Sequence, residues 1–91
     1  MSYAIRFLPR DPVRRDEPAL YLSVDPPRHP DCAGRVTSCA RDMEIWETEQ
    51  GARYATGWHR THYRCERDGL VADVVPFSVA FADCADVEVR P

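Results

Sequence analysis

Prolines divide this chain more sharply than any other residue type, and eight of them are present in 91 residues. Three lie between positions 9 and 18, and three more lie between positions 26 and 30. Because proline fixes φ and has no backbone N–H, we expect both stretches to be extended connections rather than helices or strands. The regular elements must therefore lie beside these two connections or after them.

Several segments outside the proline-rich connections alternate between apolar and polar residues, which is the period of a β-strand. The alternation is clear in residues 2–8, 20–24, 70–81 and 87–89. In the first of these, Tyr3, Ile5 and Phe7 fall on one side of the predicted strand. Pro76 cannot donate a hydrogen bond to a neighbouring strand, so the third segment is expected at a sheet edge or at a bulge.

Residues 35–50 have two interpretations. In the first, a helix near residues 36–50 is capped by Ser38 and stopped by Gly51. In the second, the chain forms a hairpin that turns around Gln50. The hairpin pairs opposite charges and aromatic rings: Glu47 lies opposite Arg53, and Trp46 lies opposite Tyr54. We favour the hairpin, because helix propensity is a weak signal where pairing between strands competes with it.

A second hairpin is predicted at Asp68 and Gly69, since Asp-Gly is a preferred two-residue turn between antiparallel strands. It joins residues 53–67 to residues 70–81. A strict two-residue turn places Arg64 opposite Asp73 and partly buries the aromatic side chains, whereas a one-residue bulge shifts the register and leaves them on one face. Six candidate strands then indicate a mainly β protein, a small single-domain antiparallel sheet, barrel or sandwich that spans residues 1–91. The alternative is an α+β fold with one helix near residues 36–50.

The charge balance argues against a uniform basic surface for duplex DNA. The net charge is −3 at pH 7, with +1 on residues 1–30, 0 on residues 31–67 and −4 on residues 68–91. No apolar run approaches the roughly 20 residues of a membrane span, and no leader sequence opens the chain, so we expect a cytoplasmic protein without a membrane partner. All 12 basic residues are arginine, a bias typical of GC-rich coding and of a bacterial or phage source.

Residues 53–67 have a composition typical of a partner-binding segment, with four arginines, two histidines and three aromatic residues against one acid. As a strand, it would present aromatic and basic side chains on one sheet face. Together with Trp46 from the preceding strand, the predicted partner-binding residues are Trp46, Tyr54, Trp58, Arg60, His62 and Arg64. Such a face is typical of a protein hot spot and also of a site for single-stranded nucleic acid. A competing interpretation places Trp46, Tyr54 and Trp58 in the core.

Metal binding is the second chemistry that the sequence brings up. His59, His62 and Cys65 are spaced three residues apart, which aligns them on a helix but separates them on a strand. Upstream candidates are His29, Cys32 and Cys39, although neither group has the close paired spacing of a structural zinc site. We predict no metal ligand and no cofactor, and we expect Cys32, Cys39, Cys65 and Cys84 to be reduced thiols.

Catalysis has little support in this sequence. The four glycines are scattered and form no phosphate-binding loop. On a strand, Cys65 and His59 would lie about 20 Å apart, beyond hydrogen-bond reach. The acids Asp83 and Asp86 are interpreted as a solvated tail. We therefore expect a small non-enzymatic module that occupies the surface of a partner protein, of an inhibitor, immunity or phage anti-defence type. The alternatives are a single-stranded nucleic-acid binder and a zinc-stabilised module, and the oligomeric state is left open.

Overall fold

The fold was analysed in a computed structural model that describes residues 1–14, 16–24, 35–38 and 40–84. Short 3-10 helices lie at Pro12–Arg14 and Ala40–Asp42. In chain order the other elements are β1 (Tyr3–Pro9), β2 (Leu20–Leu22), β3 (Val36–Thr37), α1 (Glu49–Ala55), α2 (His59–Asp68), β4 (Leu70–Pro76) and α3 (Phe77–Asp83). The connection predicted within residues 25–31 and the strand predicted at 87–89 lie outside the described residues.

The strands form one antiparallel sheet in the order β3-β2-β1-β4. The central strand β1 pairs with β4 over its full length, from Tyr3 opposite Pro76 to Pro9 opposite Leu70. The antiparallel sheet predicted from the sequence is therefore confirmed. The barrel is wrong, because β3 and β4 are the two edges of an open sheet. With three α-helices in the described part of the chain, the architecture fits the α+β alternative at least as well as a mainly β fold.

Each face of the sheet has its own buried cluster, because successive side chains of β1 point to opposite faces. Helices α1 and α2 cover one face, where the buried side chains are Ile5, Phe7, Leu22, Ala55 and Leu70. Helix α3 covers part of the other face, where they are Ala4, Tyr21, Met43, Val75, Ala80 and Cys84. The alternation predicted for residues 2–8 is therefore confirmed, and it determines which helix packs against which side chain.

The hairpin predicted around Gln50 is wrong, because helix α1 occupies that position. Thr48 is the N-cap residue of α1, and its Oγ1 accepts a hydrogen bond from the Gly51 N–H at 3.0 Å. Arg53, in the last turn of α1, forms an ion pair at 2.6 Å with Glu49 in the first turn, so the predicted pairing with Glu47 does not form. The helix proposed near residues 36–50 is also misplaced, since that stretch holds β3 and a 3-10 helix before α1 begins.

Trp46 pairs with a different strand from the one predicted. Its backbone exchanges two hydrogen bonds of 2.8 Å with the backbone of Tyr3, at the start of β1. The predicted cross-strand pair with Tyr54 is therefore absent, because Tyr54 lies on α1. This bridge fixes Trp46 beside the sheet, immediately before the chain turns into the two helices.

The strand predicted at residues 53–67 is helical, so the hairpin at Asp68 and Gly69 is wrong as well. Gly69 does adopt the left-handed conformation expected of the turn, with φ 66°, but it ends helix α2 and leads into β4. The cross-hairpin pair of Arg64 and Asp73 does not form. Arg64 instead forms an ion pair with Asp68 at 2.6 Å, and Asp73 forms one with Arg6 at 3.1 Å.

The position of Pro76 at a sheet edge is confirmed, because β4 is an edge strand and Pro76 is its last residue. Beyond it the predicted strand is wrong, since Phe77 begins α3. Hydrogen bonds from Arg10 to Gly69 and from Phe77 to Ser2 set the pattern of the β1–β4 ladder. In that pattern Pro76 belongs to the residues whose backbone faces outward, so its missing N–H removes a donor from the exposed edge.

Candidate functional site

The six predicted partner-binding residues are carried by two helices and the segment before them, and not by one sheet face. Trp46 precedes α1, Tyr54 lies near the end of α1, and Trp58 is the N-cap residue of α2. The remaining three, Arg60, His62 and Arg64, lie within α2. The sheet face on which they were expected to meet is therefore wrong, while their contact with a partner stays a prediction.

The two tryptophans contact each other and join the surface to the core. Their rings lie 6.1 Å apart between centroids at 64°, in an edge-to-face arrangement. Both are half-buried and pack against the cluster that contains Ile5 and Phe7. The interpretation of Trp46 and Trp58 as core residues is thus supported in part. It is wrong for Tyr54, whose side chain is 79% exposed.

Arg60 lies directly over the Trp58 ring, with its guanidinium carbon 4.5 Å from the ring centroid. The contact is possible although the two residues are only two apart, because Trp58 has an extended backbone with ψ 147° before the helix begins. An arginine placed over an indole face gains cation–π attraction and is held in one orientation. The nearest carboxylate is that of Glu44, whose Oε1 is 3.8 Å from Arg60 Nη2.

Within the part of the chain that the structure describes, Arg60 donates no hydrogen bond. Its Nε is buried and has no partner, and the Glu44 oxygen is beyond hydrogen-bond distance. The two Nη groups remain accessible to solvent. The side chain is 35% exposed, and neither Nη is among the buried nitrogen atoms that have no hydrogen-bond partner. Arg60 is thus oriented by an aromatic ring, while its hydrogen-bonding capacity is unused.

His62 and Arg64 have different surroundings from Arg60. Successive helix residues are rotated by about 100°, so His62 lies on the opposite side of α2 from Arg60. It is 70% exposed and its Nε2 is 3.6 Å from a carboxylate oxygen of Glu66. Arg64 is one turn from Arg60, but its guanidinium is already paired with Asp68. The structure therefore brings Trp46, Trp58 and Arg60 together and leaves His62 apart.

Sequence reasoning missed two residues near the predicted site, Glu44 and Tyr63. Glu44 contributes the carboxylate nearest Arg60. Tyr63 is 41% exposed, and its ring lies 5.9 Å from that of His59, one helical turn earlier. The four-residue spacing of His59 and Tyr63 was the available signal, but it points to a contact only if the segment is recognised as a helix.

The possible zinc ligands on α2 do not assemble. The described residues include no group of three or more histidine, cysteine or acidic side chains placed to hold a metal ion. Although the helix aligns His59, His62 and Cys65 by spacing, Cys65 packs against the core cluster and His62 is exposed. Burial raises the pKa of the Cys65 thiol, which disfavours the thiolate that a metal requires. His29, Cys32 and Cys39 lie outside the described residues.

A second polar cluster lies on the face of the sheet that α3 covers. Arg6 is opposite both Tyr21 and Asp73 in the sheet register, and its guanidinium is 3.9 Å from Asp83 on α3. The Tyr21 hydroxyl donates a hydrogen bond to Asp83 at 3.0 Å. Burial, followed by the Asp83 carboxylate, raises the pKa of Tyr21 well above its usual value. Asp83 therefore ties α3 to the sheet, and its interpretation as part of a solvated tail is wrong.

No family, curated protein or solved structure matches the chain. Among the described residues, no helix has the length and apolar character needed to cross a membrane.

Proposed function

We propose that this protein is a small non-enzymatic binding module that acts by occupying the surface of a partner protein, as an inhibitor, immunity protein or phage anti-defence protein does. The contact is made by the α1–α2 surface, defined here as Tyr54, Trp58, Arg60 and Tyr63. The observation that carries the proposal is the exposure of two tyrosines, 79% for Tyr54 and 41% for Tyr63, on the helices that hold the Arg60–Trp58 stack. Tyrosine, tryptophan and arginine supply most of the binding free energy in protein interfaces.

The ion pairs on α1 and α2 favour a protein partner over single-stranded nucleic acid. Binding to nucleic acid depends on cations that are available to neutralise phosphates. Here Arg53 is paired with Glu49 and Arg64 with Asp68, both at 2.6 Å. A phosphate backbone would have to displace both carboxylates, and the net charge of −3 would oppose its approach. Nucleic acid is therefore the second candidate, with steep salt dependence as its signature.

Photo-crosslinking from a single position tests this proposal. A benzophenone amino acid is introduced at Tyr54 in one protein and, as a control, at Val13 in another. Val13 is a suitable control because it is 85% exposed and lies on a separate 3-10 helix, outside the residues that define the α1–α2 surface. Both proteins are irradiated in lysate of the source cells or their host, with half of each sample treated with nuclease, and adducts are identified by mass spectrometry.

We expect one dominant protein adduct from position 54 that survives nuclease and is missing from position 13. Adding the purified protein to that partner should then block the partner's own activity. Equal adducts from both positions, or none, would overturn the proposal. Loss of the adducts on nuclease treatment would indicate that the α1–α2 surface binds nucleic acid. An adduct with a second copy of the chain would indicate that the surface forms a homodimer interface.

A further inference from the structure

Within the residues that the structure describes, Arg60 differs from Arg53 and Arg64 in being held in place without a hydrogen bond. Arg53 donates two hydrogen bonds to Glu49, at 3.0 and 2.6 Å. The Arg64 guanidinium also donates to Asp68, at 2.6 Å. Arg60 instead rests on the Trp58 ring, with its Nε buried and unpartnered and its two Nη groups accessible. No carboxylate of the described residues lies within hydrogen-bond distance of Arg60, since the Glu44 oxygen is 3.8 Å away.

A planar group with two oxygen acceptors fits this position. The guanidinium carbon lies 4.5 Å from the centroid of the Trp58 ring. This contact restricts the arginine side chain before any ligand arrives, so less conformational entropy is lost on binding. Paired N–H donors match the two oxygens of a carboxylate in both spacing and plane. Glu44 balances the charge in the unbound protein, but at 3.8 Å it does not use those donors.

We propose that Arg60 receives a carboxylate from an acidic segment of the protein partner. This inference rests on the proposed function and identifies the chemistry of the partner at the α1–α2 surface. Residues 49–68 carry four arginines and three acids, so the local charge is +1 in a chain whose net charge is −3. A single accessible guanidinium in a segment of charge +1 suits one carboxylate that docks beside aromatic side chains. A polyphosphate backbone would need several such cations in a row.

Fluorescence anisotropy with a labelled hexaglutamate peptide tests this inference directly. The peptide is titrated with the wild-type protein, Arg60→Gln, Arg60→Lys and Arg67→Gln at low and physiological salt. Arg67→Gln is the matched control, because it removes the same charge from an exposed arginine of the same helix that has no ion pair in the described structure. A labelled oligothymidine of equal charge is titrated in parallel, and the melting temperature of each variant verifies that it is folded.

The expected result is about tenfold weaker peptide binding for Arg60→Gln, as for the loss of one charged hydrogen-bonded contact. Arg60→Lys should recover only part of this loss because it keeps the charge without the fork, and Arg67→Gln should change the dissociation constant less than about twofold. Equal losses for Arg60→Gln and Arg67→Gln, or no peptide binding at millimolar concentration, would overturn the inference. If the oligothymidine bound more tightly than hexaglutamate and this binding depended on Arg60, the inference would also be overturned, and Arg60 would be a phosphate-binding residue.

These titrations separate the inference from the function on which it rests. The crosslink from position 54 does not involve Arg60. A nuclease-resistant partner captured at position 54 would support the proposed function. If Arg60→Gln then bound hexaglutamate as tightly as the wild-type protein, the proposal that Arg60 receives a carboxylate would be overturned on its own. If no crosslink forms from position 54 but the peptide still binds in an Arg60-dependent way, Arg60 is a carboxylate site and the proposed protein-binding function is overturned.

Discussion

The guanidinium carbon of Arg60 lies 4.5 Å from the centre of the Trp58 ring, and Trp58 in turn lies edge to face with Trp46 at 6.1 Å. This series of contacts begins in the core, because both tryptophans pack against the cluster beneath α1 and α2. It ends at the surface, where Arg60 is 35% exposed. An interface residue that is supported in this way is rigid before binding, which lowers the entropic cost of association.

Replacing Trp58 with alanine should destabilise the fold much more than replacing Arg60 with glutamine. Trp58→Ala leaves a cavity beside the core and removes the edge-to-face contact, which costs roughly 2–3 kcal/mol for a half-buried tryptophan. Arg60→Gln removes a partly exposed cation–π contact, which costs less than about 1 kcal/mol. Urea denaturation at pH 7 measures both. Equal losses would show that Arg60 is a structural residue and unsuited to the binding test.

Replacing Thr61 with valine should stabilise the protein. Thr61 is fully buried on the sheet side of α2, and its Oγ1 has no hydrogen-bond partner within the described residues. Valine keeps the shape and removes the desolvated hydroxyl, so we expect the free energy of unfolding to rise by about 1 kcal/mol. Thr56→Val is the control, since the Thr56 hydroxyl donates to the Arg53 carbonyl at 2.6 Å and its loss should destabilise. A destabilised Thr61→Val would reveal a hydrogen bond to that hydroxyl.

The hydrogen bond from Tyr21 to Asp83 should make stability depend on pH in the alkaline range. The folded protein raises the pKa of Tyr21, whereas an unfolded tyrosine ionises near pH 10. The stabilisation is therefore complete below about pH 10 and is lost as the pH rises above it, by up to about 1.4 kcal/mol per pH unit. Tyr21→Phe should cost about 1 kcal/mol at pH 7 and should decline less steeply above pH 10.

Denaturation of both proteins from pH 7 to pH 11 tests the Tyr21 prediction. The burial-raised pKa of Cys65 acts in the same direction in both proteins, so it cancels in their difference. The difference in the free energy of unfolding should stay constant up to about pH 9 and then shrink. A constant difference through pH 11 would mean that the Tyr21 hydroxyl ionises as readily in the folded protein as in the unfolded one.

Gly69 should be sensitive to the addition of a single methyl group. It ends α2 with φ 66°, a conformation that costs an alanine about 1 kcal/mol or more. Gly57→Ala is the matched control, because the added Cβ would meet the Tyr54 carbonyl oxygen at an ordinary 3.5 Å and no positive φ is involved. Thermal unfolding of both variants should show a clear loss for Gly69→Ala only. Similar melting temperatures for the two variants would contradict the left-handed assignment.

The sequence was sufficient to predict the strands β1 and β2, the edge position of Pro76 and the special conformation of Gly69. Each depends on a local property: alternation between faces, a missing N–H, or a missing side chain. Gly69 also shows the limit of such signals, because a left-handed glycine can end a helix as well as close a hairpin.

The helices α1 and α2 were missed because the cross-strand pairs and the Asp68-Gly69 turn were given more weight than helix propensity. Thr61 and Tyr63 within α2 do favour strands, but Thr61 is buried in the folded helix. The helical signals were present in the four-residue spacing of Glu49 with Arg53 and of Arg64 with Asp68.

The site was therefore predicted only in part. Trp58 and Arg60 meet as expected of residues two apart on a strand, because the backbone of Trp58 is extended before α2 starts. Beyond that point the helix turns by about 100° per residue, so His62 moves to the other side. Glu44 could not be predicted as the neighbour of Arg60, because their contact depends on the tertiary packing of the chain before α1 against α2.

The central claim is that the α1–α2 surface binds a partner protein, and one affinity tests it most directly. Isothermal titration calorimetry would compare the wild-type protein with Tyr54→Ala against the partner captured by crosslinking, with Val13→Ala as the exposed control. Tyr54 is 79% exposed, so its removal should leave the melting temperature unchanged. We predict at least about tenfold weaker binding for Tyr54→Ala and no change for Val13→Ala. An unchanged dissociation constant for Tyr54→Ala would contradict the account.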